Sequence, residues 1–188
     1  MFHMTINAAP TSTANLSPRL SDVLLFNAVW FQGLWFCTVL GRDPLLPVAG
    51  ILLALHVWLS RDYRNELTQL ALVGGVGIAV DAVLSSAGVF EFGNGALVPL
   101  WLCCLWLGFA AALGRSLAWL SRWRMVAAAA GGIAFPLNYW AGMRLGAVEF
   151  GYSLPVTLGL LALVWAVVLP LMFRLTARLS STVDEASA

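Results

Sequence analysis

Residues 154–173 read LPVTLGLLALVWAVVLPLMF, twenty consecutive positions without a charged side chain. A helix rises about 1.5 Å per residue, so this run spans roughly the 30 Å hydrocarbon core of a bilayer. It makes the chain an integral membrane protein by expectation, and the rest of the sequence can be sorted around it. Working backwards, similar apolar runs fall at Met125–Met143, Leu97–Leu120, Leu67–Phe90, Leu45–Leu59 and Val23–Leu40. They are separated by short polar or turn-forming stretches such as Gly41-Arg42-Asp43-Pro44, Ser60-Arg61-Asp62 and Glu91-Phe92-Gly93-Asn94-Gly95. The expected fold is all-α: a polytopic transmembrane helical bundle of about six spans.

Composition agrees with this reading. The chain has 188 residues, of which 61% are hydrophobic and 10% charged; soluble domains are about 45–50% apolar and about 25% charged. A net charge of +1 gives no basic field for nucleic acid. Three domain segments follow: a disordered polar tail over 1–22, a membrane domain over 23–175 and a polar C-terminal tail over 176–188. The first segment, which contains His3, lacks the basic start and short apolar core of a signal peptide. Cys37, Cys103 and Cys104 all lie in apolar runs without metal-ligand spacing, so neither a metal nor any other cofactor is expected.

Arginine supplies every basic residue apart from histidine, and it is unevenly placed. With six spans, Arg19, Arg61, Arg64, Arg115, Arg122, Arg124, Arg174 and Arg178 share one side, against Arg42 and Arg144 on the other. The bias puts both termini in the cytoplasm; the expected setting is a bacterial inner membrane, multi-pass. The sequence Trp-Leu-Ser-Arg occurs at Trp58–Arg61 and again at Trp119–Arg122, an interfacial ring followed by a snorkelling cation in each case.

Polar groups inside apolar runs cost free energy and mark either helix contacts or function. Asp81, deep in the third run, is either glue between helices or part of a binding or proton-linked site; Gln32, and after it Arg144, are the expected partners. Asn27 and Gln32 lie about 140° apart on the first helix and are expected to bond different neighbours. His56 is expected to make a structural hydrogen bond. In the fifth run, Pro136 deprives the Gly132 carbonyl of its helical donor. A bend or break between Gly131 and Asn138 is therefore expected, with Asn138 and Tyr139 facing a cavity. Gln32, Asp81, Asn138 and Tyr139 form the candidate ligand-binding set; Asn27, His56, Gly132, Pro136 and Arg144 form the helix-contact set. No catalytic residue is assigned.

Three patterns carry a resemblance: Asn27 with Phe31-Gln32-x-x-Trp35-Phe36; Pro99-x-Trp101-x-x-x-x-Trp106-x-x-Phe109-Ala110; and Pro136-x-x-Tyr139-x-Ala141-Gly142-x-x-Leu145-Gly146-Ala147. Together, over about residues 23–175, the chain resembles a family of small bacterial inner-membrane proteins classed as a domain of unknown function. That resemblance implies a link to membrane-lipid modification and says nothing of activity. Three function classes stay open. One is a permease-like or accessory protein handling membrane lipid or an apolar small molecule with a polar head. A second is a scaffold docking soluble lipid-modifying partner proteins. The third is a membrane-embedded lipid-modifying enzyme.

Overall fold

The computed structural model describes residues 24–186 except 94, with side chains described to residue 179. Among the described residues six α-helices make up the fold: α1 (Leu24–Gly41), α2 (Leu46–Leu59), α3 (Tyr63–Ser86), α4 (Leu100–Leu113), α5 (Arg124–Arg144) and α6 (Leu154–Ala186). Short 3-10 turns at Asp43–Leu45 and Ala118–Arg122 precede α2 and α5. Among the described residues three helices are long and apolar enough to cross a membrane: α1, α3 and α6 over Leu154–Leu179. Helices α2 and α4 are apolar but shorter, α4 having 14 residues, about 21 Å of helix; α5 has 21 residues but is not among the three.

Local chemistry explains where the helices start and stop. Asp62 opens α3: its carboxylate accepts from the backbone N–H groups of Arg64 (3.1 Å) and Asn65 (3.2 Å), a standard N-cap. The helix therefore begins at Tyr63, four residues before the apolar run does. Gly88 and Gly146 take positive φ of 69° and 70° just beyond α3 and α5. There the N–H of Val89 reaches the Leu84 carbonyl and that of Ala147 reaches the Gly142 carbonyl, the six-residue closure that favours glycine. The fourth apolar run ends early: α4 stops at Leu113, and residues 114–122 form tight turns that carry Arg115 back against the bundle. The polar residues after 175 continue α6 to Ala186. The tail expected over 1–22 lies outside the described residues.

Two groups of contacts show that the connections alternate between ends. At one end, β1 (Phe90–Glu91) pairs antiparallel with β2 (Glu149–Phe150), Phe90 opposite Phe150 and Glu91 opposite Glu149. At the same end Arg42 donates to the Leu145 carbonyl at 2.7 Å, so a cation sits at the C-terminus of α5. The connections α1–α2, α3–α4 and α5–α6 therefore meet. At the opposite end Ser60, Glu66 and Arg115 join the α2–α3 and α4–α5 connections. Sequence periodicity gave no sign of the two-residue ladder, which is too short to show alternation.

Helices α1 to α4 pack into one group, with α4 resting on both α1 and α3; α5 packs most extensively on α6, and α6 joins the first group through α3. Gly131 and Gly132 make the α5–α6 contact possible. A Cβ on Gly131 would stand 2.2 Å from the Trp165 carbonyl oxygen. These glycines let two backbones approach. Helix α5 is continuous from Arg124 to Arg144 with Pro136 inside it; of the bend or break expected between Gly131 and Asn138, a break does not occur. The glycine pair is used for packing on α6.

Candidate functional site

A cleft of about 270 Å³ separates the α1–α4 group from the α5–α6 pair. Phe31, Trp35 and Val39 of α1 form one wall. Trp101, Leu102, Leu105, Trp106 and Phe109 of α4 form the floor. Ala134, Phe135, Asn138, Tyr139 and Gly142 of α5 form the other wall. Phe92, Ala147 and Val148 close the end nearer the ladder, and Leu117 lies at the far end. Periodicity accounts for the α5 wall, since residues 135, 138, 139 and 142 recur on one helical face. The lining is almost wholly apolar and unusually aromatic, and no basic side chain contributes to it.

Behind this wall lies Asp81, fully buried on α3. Its Oδ2 accepts from the indole N–H of Trp106 at 2.7 Å, and its Oδ1 accepts from the hydroxyl of Tyr139. Asp81 does not line the cleft itself; it fixes two rings that do. Tyr139 also stacks on Phe90, ring centres 5.0 Å apart. Trp106 stacks on Trp165 of α6 at 4.9 Å, and Trp165 stacks on Phe135 at 4.1 Å. One carboxylate and one aromatic stack thus join α3, α4, α5 and α6 behind the cleft.

The partners expected for Asp81 need correction. Gln32 is exposed and outside the lining, and Arg144 is exposed in the last turn of α5. Trp106 and Tyr139 take their places. The reason is geometric: a ring N–H or hydroxyl on the two adjacent helices reaches a buried carboxylate directly, whereas Arg144 lies more than a turn beyond Tyr139. Asn138 does line the cleft, with its amide donating back to the Ala134 carbonyl at 2.9 Å. Pro136 is buried beside the lining without belonging to it.

A second polar cluster sits at the opposite end from the ladder. His56 Nε2 lies 3.0 Å from Glu66 Oε1. Arg115 reaches both Glu66 oxygens, at 2.7 and 2.5 Å, the two-pronged geometry that suits a guanidinium. Arg115 also donates to Ser60 Oγ at 3.0 Å, and the His56 ring stacks on Trp30 at 4.4 Å. Nearby in sequence, the Ser116 N–H donates to Asn27 Oδ1 at 3.3 Å, while Asn27 Nδ2 is buried without a protein partner. Glu66 carries no signal in the sequence; Ser60 stands there only as part of a helix break, Trp106 only as part of a family pattern, and Arg115 only as a loop cation. Its position late in an apolar run was the available signal.

The fold and site define a class: an all-α bundle containing helices that can cross a membrane, with an aromatic cleft between two helix groups. Within that class the chain belongs to DUF2878, described as a protein of unknown function, whose family model matches residues 24–171. No curated protein and no solved structure matches it.

Proposed function

We propose that this is a multi-pass protein of a bacterial inner membrane whose cleft holds an apolar molecule with one polar end, and that it handles lipid or small molecules in connection with membrane-lipid modification. The observation that carries the reading is the aromatic cleft, which lies between helices in a bundle built for lipid. Its size is near the lower end of small-ligand sites, which suits a small apolar body or part of a longer chain that continues into the bilayer. Tyr139 and Asn138 supply the polar end of the lining, and the rings supply apolar surface.

Alternating connections support six crossings. Helix α2, too short to span alone, lies between α1 and α3, and α4, also short, follows α3; α1 and α3 are helices that can span, and a bilayer accommodates short spans by local thinning. Seven described arginines (Arg61, Arg64, Arg115, Arg122, Arg124, Arg174 and Arg178) fall at or towards the end opposite the ladder, leaving Arg42 and Arg144 at the other. That bias favours a cytoplasmic side for the first end. Reporter fusions at Gly93 and after residue 188 should signal from opposite sides; matching signals would overturn the topology.

The ligand reading is tested by mass spectrometry of molecules that copurify with the protein, beside an Ala134→Trp variant. Ala134 is exposed and lines the cleft, so the larger ring fills the space without entering the core. A retained lipid or small apolar molecule should be present in the wild type and depleted in the variant. Equal recovery from both would refute cleft binding and leave the scaffold reading, in which a soluble partner protein docks on the cytoplasmic face.

A further inference from the structure

The cleft has a one-sided electrostatic character that its apolar lining conceals. Asp81 has both oxygens occupied as acceptors, by Trp106 and Tyr139, the pattern open to an ionised carboxylate. Neither donor carries a charge. Among the described residues no arginine or histidine pairs with Asp81; the ion pairs of the second cluster involve Glu66 instead. Both donor rings form part of the cleft wall, so the carboxylate is bonded directly to two residues of the lining. In a water-poor site its field is weakly screened. Aromatic faces favour cations for a separate reason, their negative quadrupole. Trp101, Trp106, Phe109, Phe135 and Tyr139 surround the same space.

We propose that the occupant of this cleft is a lipophilic cation, an apolar molecule whose polar end is an ammonium or similar positively charged group. The inference rests on the cleft being a ligand site and names the chemistry of that ligand. Three features converge on it: a buried carboxylate with neutral partners, an aromatic wall, and a lining without a basic side chain that would repel the ligand. An anionic head group, such as a fatty-acid carboxylate or a phosphate, meets none of these preferences and would be held off by Asp81.

The test uses the full chain in nanodiscs of phosphatidylcholine, with empty nanodiscs subtracted. Three probes of similar size are compared by calorimetry and tryptophan fluorescence: phenyltrimethylammonium; tert-butylbenzene, its uncharged isostere with carbon in place of nitrogen; and benzenesulfonate, an anion. The cation should bind tighter than the isostere by on the order of tenfold, and the sulfonate weakest of all. In Asp81→Asn, which keeps an acceptor oxygen, the tenfold preference should shrink to the part the aromatic wall supplies, while the isostere binds as before. The wild-type comparison stands alone should that variant fold poorly. Equal binding of cation and isostere would overturn the charge preference and leave the cleft as a neutral site. Failure of all three probes to bind, with Ala134→Trp leaving copurifying molecules unchanged, would overturn the cleft reading as well.

Discussion

Helix α3 carries two buried carboxylates fifteen positions apart, Glu66 and Asp81, and the bundle treats them in opposite ways. Glu66 meets Arg115 through two hydrogen bonds and His56 through a third contact, so its charge is matched inside the protein. Asp81 meets an indole N–H and a phenol hydroxyl, both neutral groups. The first arrangement is complete; its role is to lock the α2–α3 and α4–α5 connections together. The second has both oxygens hydrogen-bonded but no cationic partner among the described residues, and it lies against a cleft. A buried ion pair is costly to break because the survivor is left unmatched. A carboxylate held by neutral donors can lose or gain a charged neighbour without losing its bonds. The contrast separates a structural cluster from a site on one helix.

Breaking the matched cluster should have the largest effect. Arg115→Ala leaves Glu66 and His56 buried without the guanidinium, and loss of one partner of such a pair costs about 3–5 kcal/mol. Thermal unfolding in detergent should show a large fall in midpoint or little folded protein. Combining Arg115→Met with Glu66→Gln should recover most of the loss, because no unmatched charge remains. A double variant no better than Arg115→Ala would mean that the cluster acts through packing instead. At the other carboxylate, Tyr139→Phe removes one of two donors while keeping the ring. A hydrogen bond to a charged group contributes about 1.5–3 kcal/mol, so unfolding should shift by less than in Arg115→Ala. An equal or larger shift would invert the contrast.

Much of this architecture was legible from residue pattern, for a physical reason. Lipid demands that backbone groups bond within each helix, so apolar runs and their breaks mark helices almost directly, as at residues 154–173. Helix ends were less legible where capping or turns intervened: Asp62 extends α3 upstream, and the turns after Leu113 shorten α4. The site was legible in its parts and not in its pairings. Asp81, Asn138 and Tyr139 stood out as polar groups in apolar runs. That Trp106 completes the Asp81 site depends on how α3 and α4 pack, and tryptophan in a membrane helix reads as ordinary apolar bulk. Arg115 and Glu66 stood near predicted helix ends, where charge is expected, so their burial together left no trace in composition. Pro136 signals a bend or break from its own chemistry alone, and what the sequence could not show is that α5 stays continuous through it while packed along α6.

Glycine packing distinguishes the same two regions at smaller scale. A Cβ on Gly77 would stand 2.2 Å from the Trp106 ring, the ring that donates to Asp81. Gly77→Ala should displace that ring and cost about 1–3 kcal/mol, as overpacking does, with a change in tryptophan fluorescence. Gly75, two residues earlier, has nothing within 4 Å of its added Cβ. Gly75→Ala should be neutral or slightly stabilising, because alanine favours helix over glycine. Equal costs at the two positions would show that Trp106 is free to move and that the Asp81 bond is not held by packing.

The smallest effect on stability should come from Asn138, and there the comparison turns from structure to ligand. Its side chain is exposed on the cleft wall, and its recorded bond runs to the Ala134 carbonyl of its own helix. No other helix depends on it. Asn138→Ala removes a local back-bond and restores a strong helix former, so the unfolding midpoint should move by no more than about 0.5 kcal/mol equivalent. Ligand retention should respond differently, since Asn138 is the amide among the lining residues and can bond the polar end of a bound molecule. The expected outcome is an unchanged melting curve with reduced recovery of copurifying molecules. Tyr139→Phe should reverse the order, with a clear stability loss, because its hydroxyl is committed to Asp81. If Asn138→Ala instead destabilises the fold while retention is unchanged, Asn138 is a helix contact, and the polar end of the ligand lies elsewhere along the cleft.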